Sequence, residues 1–294
     1  WTNLIGSLYE IEGEQGAWAE GQRMMSAVAA NPGNETPEWA NYDPLVQNWP
    51  RQLNLLLADR IERGGEGAYG PDTASMIADI QARLHDWAGV ERYLTLAPAG
   101  SAVSRAARLS AQGDRALETG DVAGAVAALT TFNALWKEEL DVQFVFGDGR
   151  CRLGLALGRA GREAEARRVL ADSGRWVTCQ AYLADLTEMS GDTRAADAAY
   201  GRAIALAPDL PFAYHRRGLA LMARGEPGLA AGRFKQAHQR GPQWADPLKG
   251  WGDALAAQGL WRVAEEKYAK AAALAPAWRD LRLAHATALD RLGR

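Results

Sequence analysis

Small, apolar and helix-terminating positions recur with a 34-residue period through the C-terminal part of the chain. Pro208, Pro242 and Pro276 are each preceded at five residues by Ala203, Ala237 and Ala271, and at eight by Tyr200, Phe234 and Tyr268. At twelve residues stand Ala196, Ala230 and Ala264, and at seventeen Gly191, Gly225 and Gly259. Each column has a physical role. The glycine ends a first helix and permits a left-handed turn. The alanines let two antiparallel helices approach closely, the aromatic fills the space between units, and the proline stops the second helix. The pattern predicts a helix–turn–helix unit repeated over 177–210, 211–244 and 245–278, with Gly218 and Gly252 where the first helix is crossed by its partner.

These columns resemble the tetratricopeptide repeat (TPR) family, and the overall look is similar to TPR regions of bacterial multidomain signalling and regulatory proteins. The resemblance implies an all-α superhelix, a TPR-like solenoid of antiparallel helix pairs. Weaker units precede the strong ones. Residues 147–176 carry Gly154, Leu157, Gly161, Ala166 and Leu170, with a second helix shortened before Gly174; 106–139 carry Leu109, Gly113, Gly120, Ala125 and Leu129; and 71–104 carry Trp87, Val90 and Leu94. The domain organisation expected is therefore an irregular helical region over 1–70, degenerate repeats over 71–176, three well-matched repeats over 177–278, and a capping helix over 279–294 with Leu283, Ala286 and Leu289 facing inward. In the first region Ile5, Gly6, Tyr9 and Gly13 echo a first helix and Met24 and Val28 a second; Asn31 to Asn34 read as a loop, Thr36 to Glu38 as a helix start, and Pro50 as a break before the stripe Leu53, Leu56, Leu57 and Ile61.

A composition of 48% hydrophobic and 23% charged residues fits a folded chain rather than a disordered one. The net charge of −3 removes the overall attraction that nonspecific nucleic-acid binding exploits, so no nucleic-acid partner is expected. The basic run of Arg150, Arg152, Arg159, Arg162, Arg167 and Arg168, interleaved with Glu163 and Glu165, reads as a solvated, salt-bridged helix face. No apolar run is long enough to span a membrane. Cys151 and Cys179 read as buried free thiols in a cytoplasmic protein, the alternative being a single disulfide in a periplasmic module. The chain starts at Trp1, which leaves room for an effector domain upstream.

No phosphate-cradling loop, zinc helix or nucleophile elbow is present in the sequence. Gly147, Asp148 and Gly149 read as a turn, and His85, His215, His238 and His285 lack metal-ligand spacing. No catalytic site, cofactor or metal is therefore expected; an enzyme site around Trp39, Tyr42, Asp43 and Trp49 is the least favoured reading. The TPR resemblance implies a groove for a protein or peptide partner, carried onto Asp185, Glu188, Phe212, His215, Arg216, Met222, Asp246, Lys249 and Asp253. The chaperone-tail clamp of one TPR subclass does not fit, because Asp253 stands where an Asn is wanted and Phe212 where a Lys is. Trp39, Trp49 and Trp136 lie outside the strong columns and are the expected aromatic anchors. An interaction scaffold or sensor is the leading expectation, and self-association through groove or end-to-end contacts, setting the oligomeric state, the alternative. Asp185→Ala and Lys249→Ala are both expected to leave melting nearly unchanged.

Overall fold

The computed structural model describes residues 2–30, 48–62, 72–139, 149–171 and 176–294. Fifteen α-helices lie among them. The first two are α1 (Thr2–Ala30) and α2 (Pro50–Glu62). Six follow as the pairs α3 (Thr73–Arg83) with α4 (Trp87–Leu96), α5 (Ala102–Thr119) with α6 (Val122–Glu138), and α7 (Gly149–Arg159) with α8 (Glu163–Ala171). The last seven are α9 (Val177–Met189) with α10 (Thr193–Leu206), α11 (Phe212–Ala223) with α12 (Pro227–Arg240), α13 (Ala245–Ala257) with α14 (Trp261–Leu274), and α15 (Arg279–Arg291). Each pair is antiparallel neighbours in contact, and successive first helices pack on one another as in a solenoid.

The alanine columns are at the centre of this packing: Ala196, Ala230 and Ala264 are fully buried. The glycines at the crossings are required by the aromatic opposite. A Cβ on Gly218 would lie 2.7 Å from the Phe234 ring, and one on Gly252 2.5 Å from the Tyr268 ring. In the degenerate units the same crossing is made by Gly113 against Leu129 and Gly154 against Leu170. Each second helix starts after a tight turn, and in α4, α6 and α10 an aspartate (Asp86, Asp121, Asp192) accepts the amide of the third residue beyond it.

Three expectations change. Cys151 and Cys179 are not free thiols; they form a disulfide between the buried faces of α7 and α9, with Cα atoms 4.8 Å apart. The N-terminal residues do not form a short helix pair: α1 is one continuous helix through Gly13 and Gly16. Finally, α15 turns Leu281 and Ala288 inward, one heptad apart, and leaves Leu283 56% exposed. Pro50, expected as a break, is the first residue of α2, where its missing amide is harmless. The predicted loop at 31–34 and helix start at 36–38 lie outside the described residues.

The N-terminal residues run along the solenoid as a strap. Glu14 accepts the Val177 amide at 2.6 Å, and Gln15 exchanges two hydrogen bonds with Asp209. Asn48 accepts the Gln243 amide at 3.1 Å, and Arg51 donates to the Ala273 carbonyl. Four successive junctions of the strong repeats are thus met in chain order, while Ala17, Trp18 and Met25 are buried in the main core.

Candidate functional site

The first helices α5, α7, α9, α11 and α13 all contribute to one cleft of about 390 Å³. They can do so only by winding around it, so the cleft is the inner face of the superhelix. The turn between α3 and α4 and the residue before α15, Trp278, close it from the other side.

Its floor is a set of ion pairs, the one at Asp185 buried and the one at Asp253 partly exposed. Arg216 on α11 donates through Nε at 2.8 Å and Nη2 at 2.5 Å to one oxygen of Asp185 on α9, and the Tyr200 hydroxyl donates to the other. Burial opposes the Arg216 charge, but the Asp185 carboxylate outweighs it and raises the guanidinium pKa. The next unit but one repeats the motif: Tyr268 donates to Asp253 at 2.8 Å, and Lys249 reaches the same carboxylate at 2.8 Å. Between them the unit of α11 and α12 has Phe234 in place of the tyrosine and Leu219 in place of the aspartate, so hydroxyl and carboxylate are lost together. Asp185 is therefore not a solvated groove residue. Its removal would leave Arg216 buried without its partner, contrary to the expected neutrality of Asp185→Ala.

The upper wall is aromatic, formed by Trp87, Tyr182, Phe212, Trp244 and Trp278. His215 is 7% exposed, with its ring 4.8 Å from that of Trp244 and 5.5 Å from that of Phe234. Burial pushes its pKa down to about 4, against the pull of Asp246, so it is neutral at physiological pH. Its Nδ1 has no hydrogen-bond partner.

His85 closes the cleft. Its ring stacks on Trp278 with centroids 3.7 Å apart and planes 6° from parallel. Nδ1 lies 3.2 Å from Glu118 on α5, and Nε2 lies 3.5 Å from Asp246 on α13. Burial opposes its charge, but the Asp246 carboxylate, reinforced by Glu118, outweighs this and raises the pKa to about 9. The imidazolium in turn overcomes the burial of Asp246 and lowers that carboxyl's pKa. A residue of the first described repeat is thereby bound to the last.

Of the nine groove residues carried over from the repeat pattern, Phe212, His215, Arg216, Asp246, Lys249 and Asp253 line this cleft. Asp185 lies beneath it, Glu188 is paired with Arg224 at 2.7 Å, and Met222 packs beside Leu221 and Phe234. The tryptophans expected as anchors are elsewhere. Trp49 donates to Gln22 at 2.8 Å, Trp136 packs on the core with the Arg150 guanidinium 5.1 Å from its ring centroid, and Trp39, like Tyr42 and Asp43, lies outside the described residues. The basic run also divides: Arg162 and Arg167 make the expected surface pairs with Glu165 and Glu163, whereas Arg152 is buried against Asp114 and Arg159 lines the cleft. Among the described residues no group of three or more His, Cys, Asp or Glu is placed to hold a metal ion, and no helix is long and apolar enough to cross a membrane.

Helix pairs with these Gly, Ala and aromatic contacts, wound around an inner cleft, define a tetratricopeptide-type α-solenoid. Comparison with solved structures shows the same fold. The APC/C hetero-tetramer Cut9-Hcn1 contains a chain with a TM-score of 0.51 and 13% identity, over 92% of this chain and 53% of that one. A tetratricopeptide repeat protein from Parabacteroides merdae has a TM-score of 0.51 and 15% identity, over 86% of this chain and 98% of that one. This chain thus spans about half the length of the Cut9-Hcn1 chain it matches. No protein-family model matches the chain, and no curated protein matches it significantly.

Proposed function

We propose that this solenoid is an interaction module that holds a peptide segment of a protein partner in the cleft of its inner face. The observation that carries this reading is the cleft itself: a concave, aromatic-walled space in the volume range of ligand sites, with convergent polar groups on a rigid helical frame. The Cut9-Hcn1 neighbour is named as part of an assembly, which agrees with a role in protein contacts. The buried disulfide favours an oxidising compartment over the cytoplasm.

A random-peptide display selection on the intact chain tests the reading. Enriched peptides should share a motif and lose at least tenfold in affinity for Leu219→Trp, which fills the cleft from α11. Peptides that bind the filled variant equally well would place the interaction elsewhere and overturn the proposal. Self-association through the C-terminal end is less favoured, because α15 exposes Arg279, Asp280, Arg282, Asp290 and Arg291 around the lone Leu283. Light scattering on a size-exclusion column should accordingly give a monomer across a concentration series.

A further inference from the structure

Five interhelical turns in the solenoid are closed by a glycine in the left-handed region: Gly120, Gly161, Gly191, Gly225 and Gly259, at φ of 74° to 89°. The turn between α3 and α4 has the same hydrogen bonds. The His85 amide donates to Ala82 and that of Asp86 to Gln81, as Gly225 does to Met222 and Glu226 to Leu221. Yet its left-handed residue is His85, at φ 55°, the single non-glycine residue at positive φ among the described residues. Such a conformation is uncommon for a residue with a side chain, histidine adopting it more readily than most, and its surroundings help to hold it. Here the surroundings are the face of Trp278 and the carboxylates of Asp246 and Glu118.

Those surroundings fit the imidazole incompletely. The approach to Asp246 is long at 3.5 Å, and both Asp246 Oδ2 and Trp278 Nε1 are buried without a hydrogen-bond partner. Lys249, whose Nζ is 5.5 Å from the Trp278 ring centroid, is engaged by Asp253 and does not complete Asp246. A flat cation with more donors would match better. A guanidinium stacks on an indole face, carries five N–H groups in a plane, and bridges two carboxylates. The carbonyl of an attached peptide backbone would supply an acceptor for Trp278 Nε1.

We infer that Trp278, Asp246 and Glu118 form a site for the guanidinium of an arginine side chain in a peptide partner, and that His85 occupies it as an internal stand-in which the ligand displaces. The inference rests on the proposal that the inner face receives the partner, and it assigns that partner an arginine. Displacement unfastens the first described repeat from the last, so occupancy and opening of the ring are one event.

Isothermal titration of the full chain with N-acetylarginine amide tests this, with the neutral isostere N-acetylcitrulline amide as control. His85→Gly restores the residue of the sibling turns and empties the site, so it should bind the arginine probe at least tenfold more tightly than the wild type. Glu118→Gln in that background should weaken binding about tenfold, and the citrulline probe should bind neither protein. If His85→Gly melts abnormally, His85→Asn, which tolerates the same turn, takes its place. Equal affinity of wild type and emptied variant, equal binding of citrulline, or no binding to a folded emptied variant would each overturn the inference and leave His85 a structural fastening. Cleft-dependent display peptides without arginine would overturn it too, while leaving the proposed function standing.

Discussion

The units of α5 to α8 and those of α11 to α14 make the same close helix crossing with different partners. In the earlier units a glycine faces leucine (Gly113 with Leu129, Gly154 with Leu170); in the later ones it faces an aromatic ring (Gly218 with Phe234, Gly252 with Tyr268). A leucine end yields by rotating, whereas a ring fixed on its far side does not. The later units are therefore tightly constrained in sequence, and the earlier ones tolerate the drift that makes them look degenerate.

The largest expected effect is at Asp185, where a buried guanidinium and a tyrosine hydroxyl share one carboxylate. Asp185→Ala should cost about 3–5 kcal/mol, because it strands Arg216 and the Tyr200 hydroxyl, whereas Lys249→Ala on a partly exposed pair should cost less than about 1 kcal/mol. Denaturant titration of both variants measures the contrast, and equal losses would remove it. Reduction of Cys151–Cys179 comes next. It joins a weak unit to a strong one across 28 residues, and opening it should cost about 2–4 kcal/mol, read as a fall in the denaturation midpoint with reductant. At the crossings, Gly252→Ala should destabilise by about 1–3 kcal/mol and Gly113→Ala by clearly less, since only the second Cβ meets a movable side chain. Gly232→Ala, on an exposed position of α12 with open space around it, should stabilise by about 0.5–1 kcal/mol.

Acidity acts on the cleft from both sides. The His85 pKa is raised from 6.5 to about 9, so its stabilisation is complete below pH 6.5 and is lost as pH rises toward 9. The His215 pKa is lowered to about 4, so folding is favoured above pH 6.5 and loses ground as pH falls toward 4, where the unfolded chain alone takes up the proton. The melting temperature should peak near pH 6.5 as far as these two groups govern it, and His85→Gly should flatten the alkaline limb alone. An unchanged alkaline limb would mean that His85 is neutral in the fold.

The repeat columns made the solenoid legible because each column is a local steric demand: a left-handed turn, a close crossing, a helix stop. The groove positions came from the family resemblance alone, and six of the nine residues it supplied line the cleft. Register does not say which carboxylate is solvated. For that the signal was the pairing of Asp185 with Tyr200 and Asp253 with Tyr268, against Leu219 with Phe234, which links a groove position to a core position within each unit. His85 was visible as well, standing in the glycine column of the unit 71–104. The disulfide and the strap were not, because both join residues whose proximity depends on how far the superhelix turns per unit, a quantity no single repeat encodes.

The contact of His85 with Asp246 and Trp278 gives the molecule an unusual mechanical character. An ordinary solenoid is a spring, stretching gently by small rotations at every junction. Here the coil is fastened to itself, so a pull between its ends first loads the fastening, and only after that yields do the junctions extend. In a single-molecule force experiment this is a rupture ahead of the compliant regime, at lower force in His85→Gly where the strap bonds alone remain, and a bound partner that releases the fastening would be detected as a change in stiffness.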